Sequence, residues 1–435
     1  MPLPATLRAL QYRNYRLFFA GQLISLIGTW MQNVAQAWLV YRLTGSPVLL
    51  GAAGFCAQIP VFLLAPVGGV VADRYNRHRL VVATQTASLL LAFALAALTL
   101  SGTVRVWHIF VLSALLGVVN SFDIPARQAF IVGLVSKPDL INAIALNSSM
   151  FNASRVVGPA IAGILVAGIG EGWCFFANGA SYIAVIAGLL MMRVPPHRVA
   201  AHPDSPLSRM AEGFRFVIRH PPIHALLALL GVVSLTGMPY AVLMPIFAAR
   251  ILHGGARALG LLMGSTGIGA LAAALTLASR RDLKGLGRWV AFAAMGFGAG
   301  LVAFSISRIF WLSAAILALC GFAMMIQMGS SNTLIQSMSP DRLRGRVMSV
   351  YSMMFMGMAP FGALLAGAVA GRVGAPLTVA GGGAVSMVAA SIFWMRWPQI
   401  RVRARQLIVA QQMAGGDPPQ EMTGGSLELE PEPEE

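Results

Sequence analysis

The chain has 435 residues, 57% of them hydrophobic and only 11% charged, against about 25% charged in ordinary soluble domains. That balance excludes a soluble globular fold, which would lack the polar groups to cover itself, and leaves lipid as the solvent for most of the surface. The formal net charge of +16 does not point to nucleic acid, because the basic residues punctuate apolar runs instead of forming one basic-aromatic face.

Twelve apolar segments are long enough to cross about 30 Å of hydrocarbon at about 1.5 Å per residue. They are predicted at 17–40, 48–72, 80–101, 107–127, 146–169, 173–192, 223–250, 257–279, 288–306, 309–334, 346–370 and 375–396. Arg8, Arg13 and Arg16 precede the first, which is too long for the apolar core of a signal peptide, so no cleavable leader is expected. The first segment carries Gln22, Ser25, Thr29, Gln32, Asn33 and Gln36 at steps that put them on one helical face. Amides facing lipid are costly, so this face looks either into a cavity or onto another helix; the spacing fits both. Trp30, Tyr240, Gln327, Asn332 and Tyr351 are candidates to line such a cavity from other segments.

Between the second and third segments lies Gly69-Val70-Val71-Ala72-Asp73-Arg74-Tyr75-Asn76-Arg77-His78-Arg79. Gly69 permits close helix approach. Asp73 can accept from the amino end of a helix in the other half or pair with Arg127. Inside the membrane, Asp123 and Arg155 are the scarce ionisable groups and are expected to matter for that reason. A proton-exchanging Asp123 and a structural ion pair between the two remain alternatives. Gly158, Pro159 and Gly163 combine a bend with thin surfaces for packing. They form either a hinge or a plain small-residue seam.

The polar stretch 193–222 divides the chain into two sets of six segments, giving expected units 1–192 and 223–396 and a tail 397–435. Pro138-Asp139 before Pro159 is echoed by Pro340-Asp341 before Pro360, as in transporters built from parallel repeats. Methionines cluster at Met348, Met353, Met354, Met356 and Met358, as packing or as an adaptable apolar wall. The acidic end, closing Pro431-Glu432-Pro433-Glu434-Glu435, reads as a disordered tail. Cys56, Cys174 and Cys320 sit in apolar runs and suit packing. No metal-ligand spacing, nucleotide loop or nucleophile constellation stands out, so neither cofactor nor covalent catalysis is expected.

Of 31 Lys and Arg residues, one side of the predicted topology receives only Arg42, Arg105, Arg250, Arg257, Arg308 and Arg372. That bias predicts both termini in the cytoplasm of a multi-pass bacterial inner-membrane protein.

The loop Gly69–Arg79 resembles the signature of the major facilitator superfamily. Asp123-Ile124-Pro125-Ala126-Arg127-Gln128-Ala129-Phe130, Asn142–Ser148, Phe151–Pro159 and Arg344-Gly345-Arg346-Val347-Met348 resemble its bacterial enterobactin-exporter-like, transmembrane secretion effector subgroup. The resemblance implies an all-α integral membrane fold of two six-helix bundles related by pseudo-two-fold symmetry, with about 12 transmembrane helices. It implies export of small amphipathic organic molecules, siderophore- or drug-like, coupled to proton influx and carried out by a monomer in the bilayer. It also assigns Gly69, Asp73, Arg74, Arg77 and Arg127 to a gate that closes the cytoplasmic side in the outward-facing state. The run Gly158–Gly163 resembles the exporters' antiporter motif, implying a hinge mirrored by Pro360. Uptake of a metabolite, lipid movement between leaflets and a non-transporting receptor remain as alternatives.

Overall fold

The structure, a computed structural model, describes residues 5–193, 206–280, 283 and 285–414. Among them it is helical throughout, without strands. The first bundle comprises α1 (Arg13–Thr44), α2 (Pro47–Arg74), α3 (Arg77–Leu100), α4 (Val106–Val132), α5 (Leu140–Ile169) and α6 (Glu171–Leu190). The amphipathic α7 (Pro206–Arg219) then leads into the second. That bundle comprises α8 (Pro221–Ile251), α9 (Gly255–Ala278), α10 (Leu286–Ile306), α11 (Phe310–Met338), α12 (Asp341–Val373) and α13 (Ala375–Ala414).

Eleven of these helices are long and apolar enough to cross a membrane. The twelfth rod, α1, is 32 residues long, but its amides and hydroxyls dilute its hydropathy. It packs between α5 and α6, where those groups find partners other than lipid.

Local chemistry sets the helix ends. Pro47 opens α2, and the Ser46 side chain accepts from the Leu49 amide; Asn76 caps α3 through the Arg79 amide. The α5–α6 and α12–α13 turns both hinge on one glycine in a positive-φ conformation, Gly170 and Gly374, each at φ 89°. A side chain is strained there, so the same turn recurs at equivalent places in the two bundles.

The Pro-Asp echo has a structural counterpart. Asp139 lies under the segment leading into α1, accepting from Gln11 Nε2 (2.9 Å) and Tyr12 Oη (2.8 Å). In the second bundle, Glu212 on the lead-in helix α7 pairs with Arg342 and Arg346 at the start of α12. Each bundle's lead-in is thus pinned at the entry to its fifth span.

Helix α13 runs to Ala414, past the expected end at 396. The acidic tail beyond it lies outside the described residues, as do 194–205 of the central stretch and Arg281, Asp282 and Lys284 of the second-half loop.

Candidate functional site

The bundles meet along α2 against α12 and α5 against α9. Between them lies a cavity of about 340 Å³. The first bundle lines it with Trp30, Gln58, Arg155 and Pro159, and the second with Ser234, Met238, Tyr240, Met244, Met263, Thr266, Phe355 and Met356, among others.

Backbone irregularity shapes the second bundle's wall. Helix α8 widens into π-helical turns at Val233–Gly237 and Phe247–Ile251, a departure that concentrates at functional sites. Helix α12 breaks between Met356 and Ala359, where Pro360 supplies no amide. The Ser234 hydroxyl donates to the Phe355 carbonyl, tying the two irregular helices together at the cavity.

Among the described residues, Arg155 is the sole charged one in the lining. Its guanidinium lies over the Trp30 ring, 5.8 Å from the centroid, and it joins no ion pair among the described residues. Trp30 is steadied edge-on by Phe151 at 5.6 Å. Gly158 lets α1 come this close: a Cβ there would meet Trp30 Cβ at 2.5 Å and the Ile27 carbonyl at 2.8 Å.

Of the predicted lining residues, Tyr240 and Trp30 do face the cavity. The α1 stripe mostly does not. Gln22 accepts from Arg127 (3.0 Å), Gln32 from Asn178 (2.7 Å), and Gln36 donates to Ser113 (2.8 Å). Ser25 is buried within the bundle and Asn33 is exposed. The stripe is interhelical glue, because two other helices of the same bundle, α4 and α6, offer it polar partners. In the second bundle, Gln327 is buried, Tyr351 donates to the Met328 carbonyl (3.2 Å), and Asn332 accepts from Gln336. Of the five clustered methionines only Met356 reaches the lining.

The expected Asp123–Arg155 and Asp73–Arg127 pairs are absent. Asp123 pairs with Arg127 one turn on (3.3 Å) and accepts from Thr84 (2.8 Å) and Gln85 (2.9 Å). The i,i+4 partner wins because both side chains already share one helix face. Asp73 is exposed and meets only Arg77, at 3.8 Å. Arg74 is also exposed, while Arg77 donates to the Ala72 and Ala129 carbonyls. The close approach expected at Gly69 occurs at Gly68, which packs on the Ser121 carbonyl; nothing lies within 4 Å of a Cβ at Gly69.

At the end opposite Asp73 the two bundles come together. At the far end, Gly51 and Gly367 bring α2 and α12 into backbone contact, and Gly163 and Gly260 do the same for α5 and α9. Arg250 adds a latch, donating to the Gly45 carbonyl (3.3 Å) and lying over the Tyr41 ring at 5.8 Å. Sequence reasoning missed it, although the tight Gly45-Ser46-Pro47 turn marked an exposed carbonyl. At the Asp73 end, Ser148 and Ser149 of α5 and Ser349 and Ser352 of α12 are exposed, as befits a wet passage. Removing the latch with Arg250→Ala is expected to cost the far-end closure about 1 kcal/mol, a roughly fivefold population shift. Distances between spin labels on the α3–α4 and α10–α11 turns would read it.

Two six-helix bundles around a cavity between them, crossing closely at one end, define a transporter of the major facilitator superfamily. The chain belongs to the transmembrane secretion effector family, whose model matches residues 5–420. It is 27% identical to a staphyloferrin A transporter of Staphylococcus aureus, over 80% of this chain and 88% of the relative. It is 25% identical to an enterobactin exporter of Citrobacter koseri, over 86% and 88%. The fold is similar to a solved bacterial homologue of the human lysosomal transporter Spinster, with TM-score 0.62 at 15% identity, covering 92% of this chain and 97% of that one.

Proposed function

We propose that the protein exports a siderophore-type organic molecule from the bacterial cytoplasm by alternating access, using proton influx. The observation that carries this is the cavity between the bundles, with the close glycine crossings of the bundles lying at the end opposite Asp73. The excess of Lys and Arg at the Asp73 end makes that end cytoplasmic, so the conformation described above is inward-open and both termini are cytoplasmic. The relatives named for staphyloferrin A and enterobactin support the cargo class, and the second supports the direction.

The two bundles move as the units separated by 193–222. In the outward-open state Gly69, Asp73, Arg74 and Arg77 close the cytoplasmic side against the second bundle. In the inward-open state the glycine crossings and Arg250 close the far side. Asp123 is the coupling carboxylate: it is buried within the first bundle, paired with Arg127 and hydrogen-bonded by Thr84 and Gln85. Pro159 lies inside α5, and Pro360 at the break in α12. One chain holds the whole cavity, so a monomer suffices.

The test is accumulation of radiolabelled siderophores, staphyloferrin A and enterobactin, in cells lacking and expressing the protein. Lower accumulation that vanishes with a proton uncoupler is the expected result. Equal or higher accumulation in the expressing cells would overturn export.

A further inference from the structure

The cavity holds one full charge and it is positive. Arg155 sits in the middle of α5 with no carboxylate partner among the described residues, and no lining residue is acidic. Arg155 is half-buried in this cavity, and a cation held at membrane depth without a partner is costly. Such groups persist where a ligand supplies the missing charge. The guanidinium is a rigid fork of donors matched to a carboxylate, and here it is held in place by stacking on Trp30. Around it the wall is neutral: the Tyr240 and Thr266 side chains offer hydroxyls, and methionines supply adaptable apolar surface.

We infer that the cavity selects organic anions: a carboxylate or comparable anionic group docks on Arg155 and the ligand's aromatic or apolar body lies against Trp30 and the methionines. This rests on the export reading and narrows it, because a cationic amphiphile entering the same cavity would face an uncompensated guanidinium. Drug-like cations are therefore excluded as cargo.

The phosphate of a lipid headgroup shares this chemistry, so the test separates the two sources. The full chain is reconstituted in phosphatidylcholine nanodiscs and binding is measured by calorimetry for three probes: 1-naphthaleneacetate, its neutral amide, and 1-naphthylmethylammonium. The acetate is expected to bind about ten- to a hundredfold tighter than the amide, the range for a charge-assisted hydrogen-bonded pair, and the ammonium least well. Arg155→Gln abolishes the preference for the acetate over the amide; Arg155→Lys falls between.

Equal binding of acetate and amide by the unmodified protein overturns the inference, and that comparison needs no variant to fold. Binding of none of the probes at millimolar concentration also overturns it. Loss of the preference in phosphatidylglycerol nanodiscs assigns the anion site to lipid and overturns the cargo role. Preference for the acetate without efflux in cells would sink only the export reading. Efflux of cationic compounds as fast as anionic ones would sink only this one.

Discussion

Replacing Gly260 by isoleucine is expected to cut transport at least tenfold while leaving the chain folded. A Cβ at this position would strike the Pro159 carbonyl and lie 2.7 Å from Gly163 Cα. Both are backbone atoms of α5 and cannot swing aside as a flexible side chain would. Overpacking in a closed interface typically costs about 1–3 kcal/mol, and a branched side chain against backbone exceeds that range. The strain falls only on the state in which α5 and α9 touch at the far end. It therefore acts as a bias between conformations, and about 5.5 kcal/mol suffices to invert a 99:1 population. Spin labels at Thr103 and Ile309, on far-end turns of different bundles, should move apart. Gly158→Leu is the control: its clash with Trp30 and Ile27 lies inside one bundle, so it lowers melting temperature without changing that distance. An unchanged distance and normal transport in Gly260→Ile would refute the far-end seal.

The difference between those two glycines was partly readable in the sequence. Positions 155, 159 and 163 recur at four-residue steps on one face of α5, and that face meets the other bundle. Ser154, Gly158 and Ala162 form the adjacent face, buried within their own bundle. Hydrophobic length was enough to place the spans, because bilayer thickness is a constraint on each segment alone. The twist of α1 about its axis was not legible. Its polar stripe demanded partners, yet Asn178, Ser113 and Arg127 come from α6 and α4, and only tertiary packing brings them there. The Asp123–Arg127 pair could have been found from its i,i+4 spacing alone. Conformation was the remaining blind spot: the loop Gly69–Arg79 resembles a gate signature, but nothing in a sequence says which conformation the chain adopts.

That pair carries the second large effect. Asp123 joins α4 to α3 through Thr84 and Gln85, and Arg127 carries the link to α1 through Gln22. Removing one member of a buried ion pair costs roughly 3–5 kcal/mol, because the survivor stays uncompensated. Arg127 keeps 24% of its side chain accessible, so water relieves part of this and Asp123→Ala should lose about 3 kcal/mol, seen as a fall in melting temperature in detergent. Asp123→Asn is the sharper probe. Its oxygen still accepts from Thr84 and Gln85, so the fold loosens less, while the group can no longer release or take up a proton. In proteoliposomes, exchange down a substrate gradient should survive in this variant, and uphill transport driven by a pH gradient should fall at least tenfold. Were uphill transport to keep its pH dependence, Asp123 would be a structural tie between helices and the coupling proton would travel elsewhere. The stability loss in Asp123→Ala would stand either way, since it follows from the charge left on Arg127.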